Sequence, residues 1–85
     1  MTETEIEQLI KSGINDANVF VKDTTGGGDH FSAIVISNEF EGKNLIDQHK
    51  MVYKTLGNFL TNQVHALQLK TYTYNRWKSE QKTSQ

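Results

Sequence analysis

The stretch NLIDQHKMVYKTLGNFLTNQVHALQLKTY, residues 44–72, decides the fold. Its first part carries apolar residues and one histidine at offsets of 0, 4, 7, 8, 11 and 15: Leu45, His49, Val52, Tyr53, Leu56 and Leu60. This helical spacing predicts a long helix over residues 44–61 with these residues on its apolar face. Alternation of apolar and polar residues then predicts a strand over residues 64–72.

The N-terminal segment is predicted to form a short helix over residues 5–12. Thr4 and Glu7 have the Ser/Thr-x-x-Glu spacing of a capping box, and apolar residues follow at helical spacing. Gly13 then offers a left-handed residue that would end the helix.

Between these helices the sequence is typical of a hairpin. Residues 18–23 and 30–37 are rich in β-branched and aromatic residues, and the glycine-rich run 24–29 separates them as a flexible turn. After the third strand, Thr73 can cap a final short helix that Trp77 anchors.

The resulting order is α-β-β-α-β-α, which predicts an α+β fold. We expect a two-layer sandwich in which the two larger helices cover one face of a three-stranded sheet. Because a long helix separates the second and third strands, this pair can be parallel, and the sheet is then mixed. At 85 residues the chain is expected to be one domain over residues 1–85, with an ordered core of about 4–80 and a polar tail at 81–85.

Composition excludes several classes of function. The chain has no cysteine, so it offers neither a disulfide nor a thiolate ligand. A Gly-x-Ser-x-Gly turn and a close pair of carboxylates in an apolar context are also missing from the sequence, and we therefore expect no enzyme activity and no catalytic residue. The acidic N-terminus does not resemble a signal peptide, and no apolar run approaches a membrane span, which predicts a cytoplasmic protein.

Charge is unevenly distributed although the formal net charge is only −1. Residues 1–42 carry two lysines and eight carboxylates, whereas residues 43–85 carry seven basic residues and two carboxylates. The first half therefore has a net charge of −6 and the second half a net charge of +5. Such a dipole can orient an approaching partner.

Three histidines are the metal-ligand candidates, because imidazole is the only soft nitrogen donor available. His49 lies within the predicted apolar face of the long helix, which favours a hydrogen-bonded, half-buried side chain. His30 opens a strand beside the glycine turn, where a solvent-facing role and a ligand role are both open. His65 begins the third strand, either as an ordinary strand histidine or projecting past the sheet edge toward a partner.

A set of short motifs in fixed order resembles the BolA-like family over about residues 5–80. The motifs are Asp29-His30-Phe31, Phe40-Glu41-Gly42-Lys43, His49-Lys50-Met51-Val52-Tyr53, His65-Ala66-Leu67, and Thr71-Tyr72-Thr73 with Trp77. The resemblance implies an α+β fold of the class II KH-like type.

The resemblance also implies a function and a site. Members of the family form heterodimers with monothiol glutaredoxins and share a bridging [2Fe-2S] cluster, for which His65 is the implied ligand. The partner's cysteine and a bound glutathione would supply the sulfur, so the isolated chain is expected to hold no cofactor. The loop over residues 24–29 has neither the Cys nor the extra His of some relatives and resembles the short-loop branch, so His30 is the candidate second ligand.

The leading hypothesis is thus a non-enzymatic adaptor in iron–sulfur cluster trafficking or iron regulation. Its expected contacts with the glutaredoxin are Lys43, His49, Lys50, Lys54, Lys70, Arg76 and Lys78. The alternative is a KH-like, nucleic-acid-binding transcriptional regulator with DNA as a possible partner, although no Gly-x-x-Gly loop lies between the predicted helices. We expect the isolated chain to be a monomer, with a weak homodimer as the alternative, and no membrane partner.

Overall fold

A computed structural model describes residues 1–59 and 66–83. The helices and strands follow the predicted order, with one added 3₁₀ turn at Asn38–Phe40. The α+β fold is confirmed. The elements are α1 (Glu3–Gly13), β1 (Asn18–Asp23), β2 (His30–Ile36), α2 (Leu45–Leu56), β3 (Ala66–Tyr72) and α3 (Tyr74–Thr83).

The sheet is mixed, as predicted. Strand β2 lies in the centre, antiparallel to β1 and parallel to β3. In the register, Val35 pairs with Val19 on one side and with Thr71 on the other. Strand β3 begins at Ala66, and residues 64 and 65 of the predicted strand lie outside the described residues.

The core lies between one face of the sheet and helices α1 and α2. Alternate residues of β1 and β2 point into it, because strand side chains alternate between the two faces. The buried cluster consists of Ile6, Ile10, Ile14, Val19, Phe31, Val35, Phe40, Val52 and Leu56. The predicted arrangement, two helices over one face, is therefore correct.

Helix α3 contacts the opposite face of the sheet. Trp77 stacks on Phe20 at a ring-centroid distance of 6.0 Å and packs against Tyr72 at 5.3 Å. Thr73 caps the helix as predicted, since its hydroxyl accepts a hydrogen bond of 3.3 Å from the Arg76 backbone N–H. The helix extends to Thr83, past the predicted end of the ordered core near residue 80.

Helix α1 begins with a different capping box from the predicted one. The box is formed by Thr2 and Glu5, not by Thr4 and Glu7: the Glu5 N–H donates to the Thr2 hydroxyl at 3.1 Å, and the Thr2 N–H donates to the Glu5 carboxylate at 2.9 Å. Both pairs have the same spacing, so the local sequence does not distinguish them. Starting at Glu3 places Ile6 within the regular helix, where it is buried.

Gly13 has a different role from the one predicted. Its backbone is not left-handed, so that prediction is wrong. A Cβ at this position would lie 2.4 Å from Cγ2 of Thr55 on α2. Gly13 therefore permits the close approach of α1 and α2.

Helix α2 is shorter and rotated relative to the prediction. It ends at Leu56, where Gly57 adopts a φ of 54° that favours glycine; Leu60 lies outside the described residues. Val52 and Leu56 are buried as expected, but Leu45 is 57% exposed and Tyr53 is 37% exposed. The predicted apolar face is thus wrong at these two positions.

A buried polar side chain explains this rotation. Gln48 faces inward, and its Oε1 accepts a hydrogen bond of 2.6 Å from the Thr71 hydroxyl on β3. Its Nε2 donates to the Lys43 carbonyl at 2.8 Å. Burying an amide is tolerated because these partners replace water. With Gln48 turned inward, the neighbouring stripe of Leu45 and Tyr53 faces outward.

The predicted glycine turn is organised by one carboxylate. Asp23 accepts hydrogen bonds from the backbone N–H groups of Thr25, Gly26 and Gly28, at 3.2, 2.8 and 2.9 Å. Gly26 and Gly28 have φ values of 80° and 77°, which residues other than glycine rarely adopt. The glycines therefore allow the backbone of the turn to fold around the Asp23 carboxylate.

We expect Thr71→Val to lower the free energy of unfolding by about 1–3 kcal/mol, because it leaves the buried Gln48 carbonyl oxygen without its donor. Thr71→Ser retains the hydroxyl and is the matched control, with the smaller loss. Urea denaturation of both variants measures the difference. Equal stabilities of the two variants would contradict the assigned hydrogen bond.

We expect Gly13→Ala to destabilise the protein, since overpacking costs about 1–3 kcal/mol and exceeds the helix-propensity gain of about 1 kcal/mol. Thr55→Ser removes the clashing methyl and keeps the hydroxyl that donates to the Val52 carbonyl at 2.6 Å. In that background Gly13→Ala should be neutral or stabilising. A double-mutant cycle by thermal or urea unfolding tests the contact, and additive effects would refute it.

Candidate functional site

The structure describes only one of the two predicted cluster ligands. His65 lies within residues 60–65, outside the described residues, so its ligand role stays a prediction. His30 is the first residue of β2 and is the register partner of Ala66, the residue that follows His65 in the sequence. The Ala66 N–H donates to the Asp29 carbonyl at 3.2 Å, which closes this end of the parallel pair.

The imidazole of His30 lies beside a carboxylate. Its Nδ1 is 2.9 Å from Oδ1 of Asp29, and the side chain is 45% exposed. Because Nδ1 itself is buried, the exposed area belongs to the rest of the ring, and the contact with Asp29 is an ion-pair distance without hydrogen-bond geometry. A carboxylate next to one imidazole nitrogen is a common arrangement at metal sites, where it orients the ring and leaves the other nitrogen for the metal. The position of Asp29 before His30 in the sequence was the only available signal for this pair.

His49 is half-buried as predicted, but the predicted hydrogen bond is not found at its Nε2. This atom is buried and has no hydrogen-bond partner within the part of the chain that the structure describes. The ring packs edge-on against Tyr53 at a centroid distance of 6.2 Å. His49 is thus half-buried beside Tyr53 and is not part of the buried core cluster.

Within residues 1–59 and 66–83, no group of three or more histidine and acidic side chains could hold a metal ion. The pair of Asp29 and His30 offers one imidazole donor. It fits a centre in which most ligands come from elsewhere, and it does not by itself form a metal site.

The predicted partner residues are all on the surface, and the structure brings three of them together. His49, Lys70 and Arg76 line one groove of about 380 Å³ beside β3. The remaining lining residues are Leu45, Leu69, Thr71 and Tyr72. Arg76 is held there by its guanidinium, which lies 5.3 Å from the centre of the Tyr72 ring. Lys43, Lys50, Lys54 and Lys78 are exposed but do not line this groove.

Exposed apolar side chains accompany the basic residues of α2. Leu45 and Ile46 are 57% and 67% exposed, and Tyr53 is 37% exposed. They lie on the same helix as the exposed Lys50 and Lys54. The sequence prediction missed this surface because it placed Leu45 and Tyr53 in the core. Contiguous exposed apolar side chains with polar neighbours are typical of interaction surfaces.

Comparison with known proteins identifies the family. A family model described as "BolA-like protein" matches residues 6–76. The chain belongs to the BolA-like family. Among curated relatives of this BolA-like chain, the "DNA-binding transcriptional regulator BolA" of Escherichia coli K12 is 31% identical over 90 residues, which cover 98% of this chain and 86% of the relative. "Protein BOLA2" of Arabidopsis thaliana is 34% identical over 80 residues, covering 92% and 85%.

Solved structures agree with this assignment. The structure of a BolA protein homologue from Coxiella burnetii is 35% identical and superposes with a TM-score of 0.79, covering 92% of this chain and 97% of the homologue. The resemblance inferred from the sequence motifs is thus confirmed. Among the described helices, none combines the length and apolar character needed to cross a membrane.

Proposed function

We propose that this BolA-like protein is a non-enzymatic, cytoplasmic partner of a monothiol glutaredoxin and shares a bridging [2Fe-2S] cluster with it. Its role would be iron–sulfur cluster assembly or trafficking, or iron regulation. The observation that carries the proposal is the imidazole of His30, set against Asp29 and paired in register with Ala66. Membership of the BolA-like family is the second support.

The donor chemistry of the chain favours a shared centre over a resident one. With no cysteine in the sequence, every thiolate ligand has to come from another molecule. Histidine in place of two thiolates on one iron of a [2Fe-2S] cluster raises its reduction potential, as in Rieske centres. A cluster with histidine on one iron and the sulfur of a glutaredoxin and glutathione on the other would have this character.

In the proposed complex, His65 and His30 would hold the cluster, and Asp29 would be a positioning residue. The carboxylate of Asp29, 2.9 Å from Nδ1 of His30, would help to fix the orientation of the ring. When bound, the cluster supplies one-electron chemistry and bridges the two proteins. The chain would contribute the two imidazole ligands and the orientation of His30.

The partner is expected to dock on the positive half of the molecule. Lys43, Lys50 and Lys54 lie on or before α2, next to the exposed apolar residues of that helix. Basic residues around an apolar centre are suited to steering an acidic partner and then burying it.

Three variants test the cluster ligands with a monothiol glutaredoxin, iron, sulfide and glutathione. We expect His65→Ala to abolish the difference between the visible spectrum of the heterodimer and that of the glutaredoxin homodimer. His30→Ala should also change the spectrum, because it replaces the second donor. Asp29→Asn should change the spectrum less than His30→Ala does, since it alters the group beside His30 and leaves the imidazole in place.

Lys22→Gln serves as the control, since Lys22 lies on β1 outside the proposed surface. It should leave the heterodimer spectrum unchanged. A wild-type spectrum from His65→Ala would reject that residue as a ligand, and a wild-type spectrum from His30→Ala would reject the second ligand alone.

DNA binding is the second candidate function, favoured by the name of the Escherichia coli relative and by the basic groove at β3. Titration with duplex DNA at two salt concentrations tests it. Phosphate contacts release counterions, so genuine binding must weaken as salt rises. If the protein does not bind DNA at low salt, or binds it equally at both salt concentrations, DNA binding is rejected as the function.

A further inference from the structure

The outer edge of β3 offers backbone groups for another strand. Within the described residues, the sheet ends at β3. The Ala66 N–H bonds to the Asp29 carbonyl and the Tyr72 carbonyl accepts from the Ser37 N–H, so even-numbered residues of β3 face β2. In a parallel ladder the odd-numbered residues then present N–H and C=O groups to the outside. Of these, Leu67 and Leu69 are partly exposed, whereas Thr71 is only 3% exposed and is covered.

The groove at this edge has two chemically different walls. Leu45 and His49 of α2 form the wall on the helix side of the sheet, next to the core-facing side of Leu69. Lys70 and Arg76 form the wall on the other side. A strand added to β3 would therefore direct alternate side chains toward an apolar wall and a basic wall.

The opposite edge of the sheet is less suited to the same ligand. On β1 the outward N–H of Asp23 already donates to the Glu3 carboxylate at 2.8 Å. Residues 1–23 carry five carboxylates and two lysines, whereas residues 66–85 carry four basic residues and one carboxylate. An acidic segment is thus repelled from β1 and attracted to β3.

We propose that the β3 edge is a docking site for an extended, acidic polypeptide segment in which acidic and apolar residues alternate. The segment adds a strand to the sheet through Leu67 and Leu69. Its acidic side chains meet Lys70 and Arg76, and its apolar side chains meet Leu45. Backbone hydrogen bonds provide affinity in such complexes and the alternating pockets provide specificity. The inference concerns a ligand class and does not depend on a cluster or on glutaredoxin.

Synthetic octapeptides test the proposal with the complete chain. A fluorescent peptide of alternating Glu and Val should bind, and a peptide of the same composition with the four Glu grouped before the four Val should bind about tenfold more weakly. N-methylation of every second peptide amide distinguishes strand addition from charge attraction alone. Methylation of the amides that face β3 should abolish binding, and methylation of the alternate set should leave it.

Charge reversal tests the basic wall. Lys70→Glu should weaken binding about tenfold, and Lys70→Glu with Arg76→Glu should weaken it further. Lys22→Glu makes the same change in net charge on β1 and should leave the affinity unchanged. Because Lys70 is exposed on the strand, its single variant remains informative if loss of the Arg76 stacking on Tyr72 disturbs α3.

Three results would overturn the inference. Equal binding of the alternating and grouped peptides, or of the two methylated peptides, would show charge attraction without strand addition. Stronger competition by a single-stranded oligonucleotide of equal charge would identify a nucleic-acid groove. Self-association of the free chain that Lys70→Glu abolishes would identify a second copy as the occupant.

Discussion

The amide of Gln48 is the interaction that fixes how the helical layer sits on the sheet. It is one of few polar side chains in the interior, and it connects three parts of the chain: the loop at Lys43, helix α2 and strand β3. Unlike apolar contacts, hydrogen bonds are directional and allow little rotation of the helix. They set which side chains of α2 are buried and which form the surface.

Most of the fold follows from local patterns in the sequence. The β-branched and aromatic residues of 18–23 and 30–37 marked both strands of the hairpin, and the long helix before β3 indicated the parallel pair. These signals depend on neighbours along the chain, so the sequence was sufficient. Thr73 could likewise be assigned as a cap, because capping is a local interaction.

The predictions failed where distant residues decide the outcome. Gln48 is buried only because Lys43 and Thr71 satisfy its amide, and no periodicity in α2 reveals that pairing. Gly13 is required by Thr55, more than forty positions away in the chain. The site shows the same division. The adjacency of Asp29 and His30 is visible in the sequence, whereas the groove at β3 requires α2, β3 and α3 to be placed together.

Strand β3 connects the two candidate regions without a hinge. Ala66 lies beside His30 at its start, and Lys70 lies in the groove four residues later. At about 3.3 Å per residue, an extended strand holds these positions about 13 Å apart. The strand therefore fixes the distance between His30 and the groove. A single-residue insertion in the strand would disrupt this arrangement, since a shift by one would exchange Leu69 with Lys70 between the two faces of the sheet.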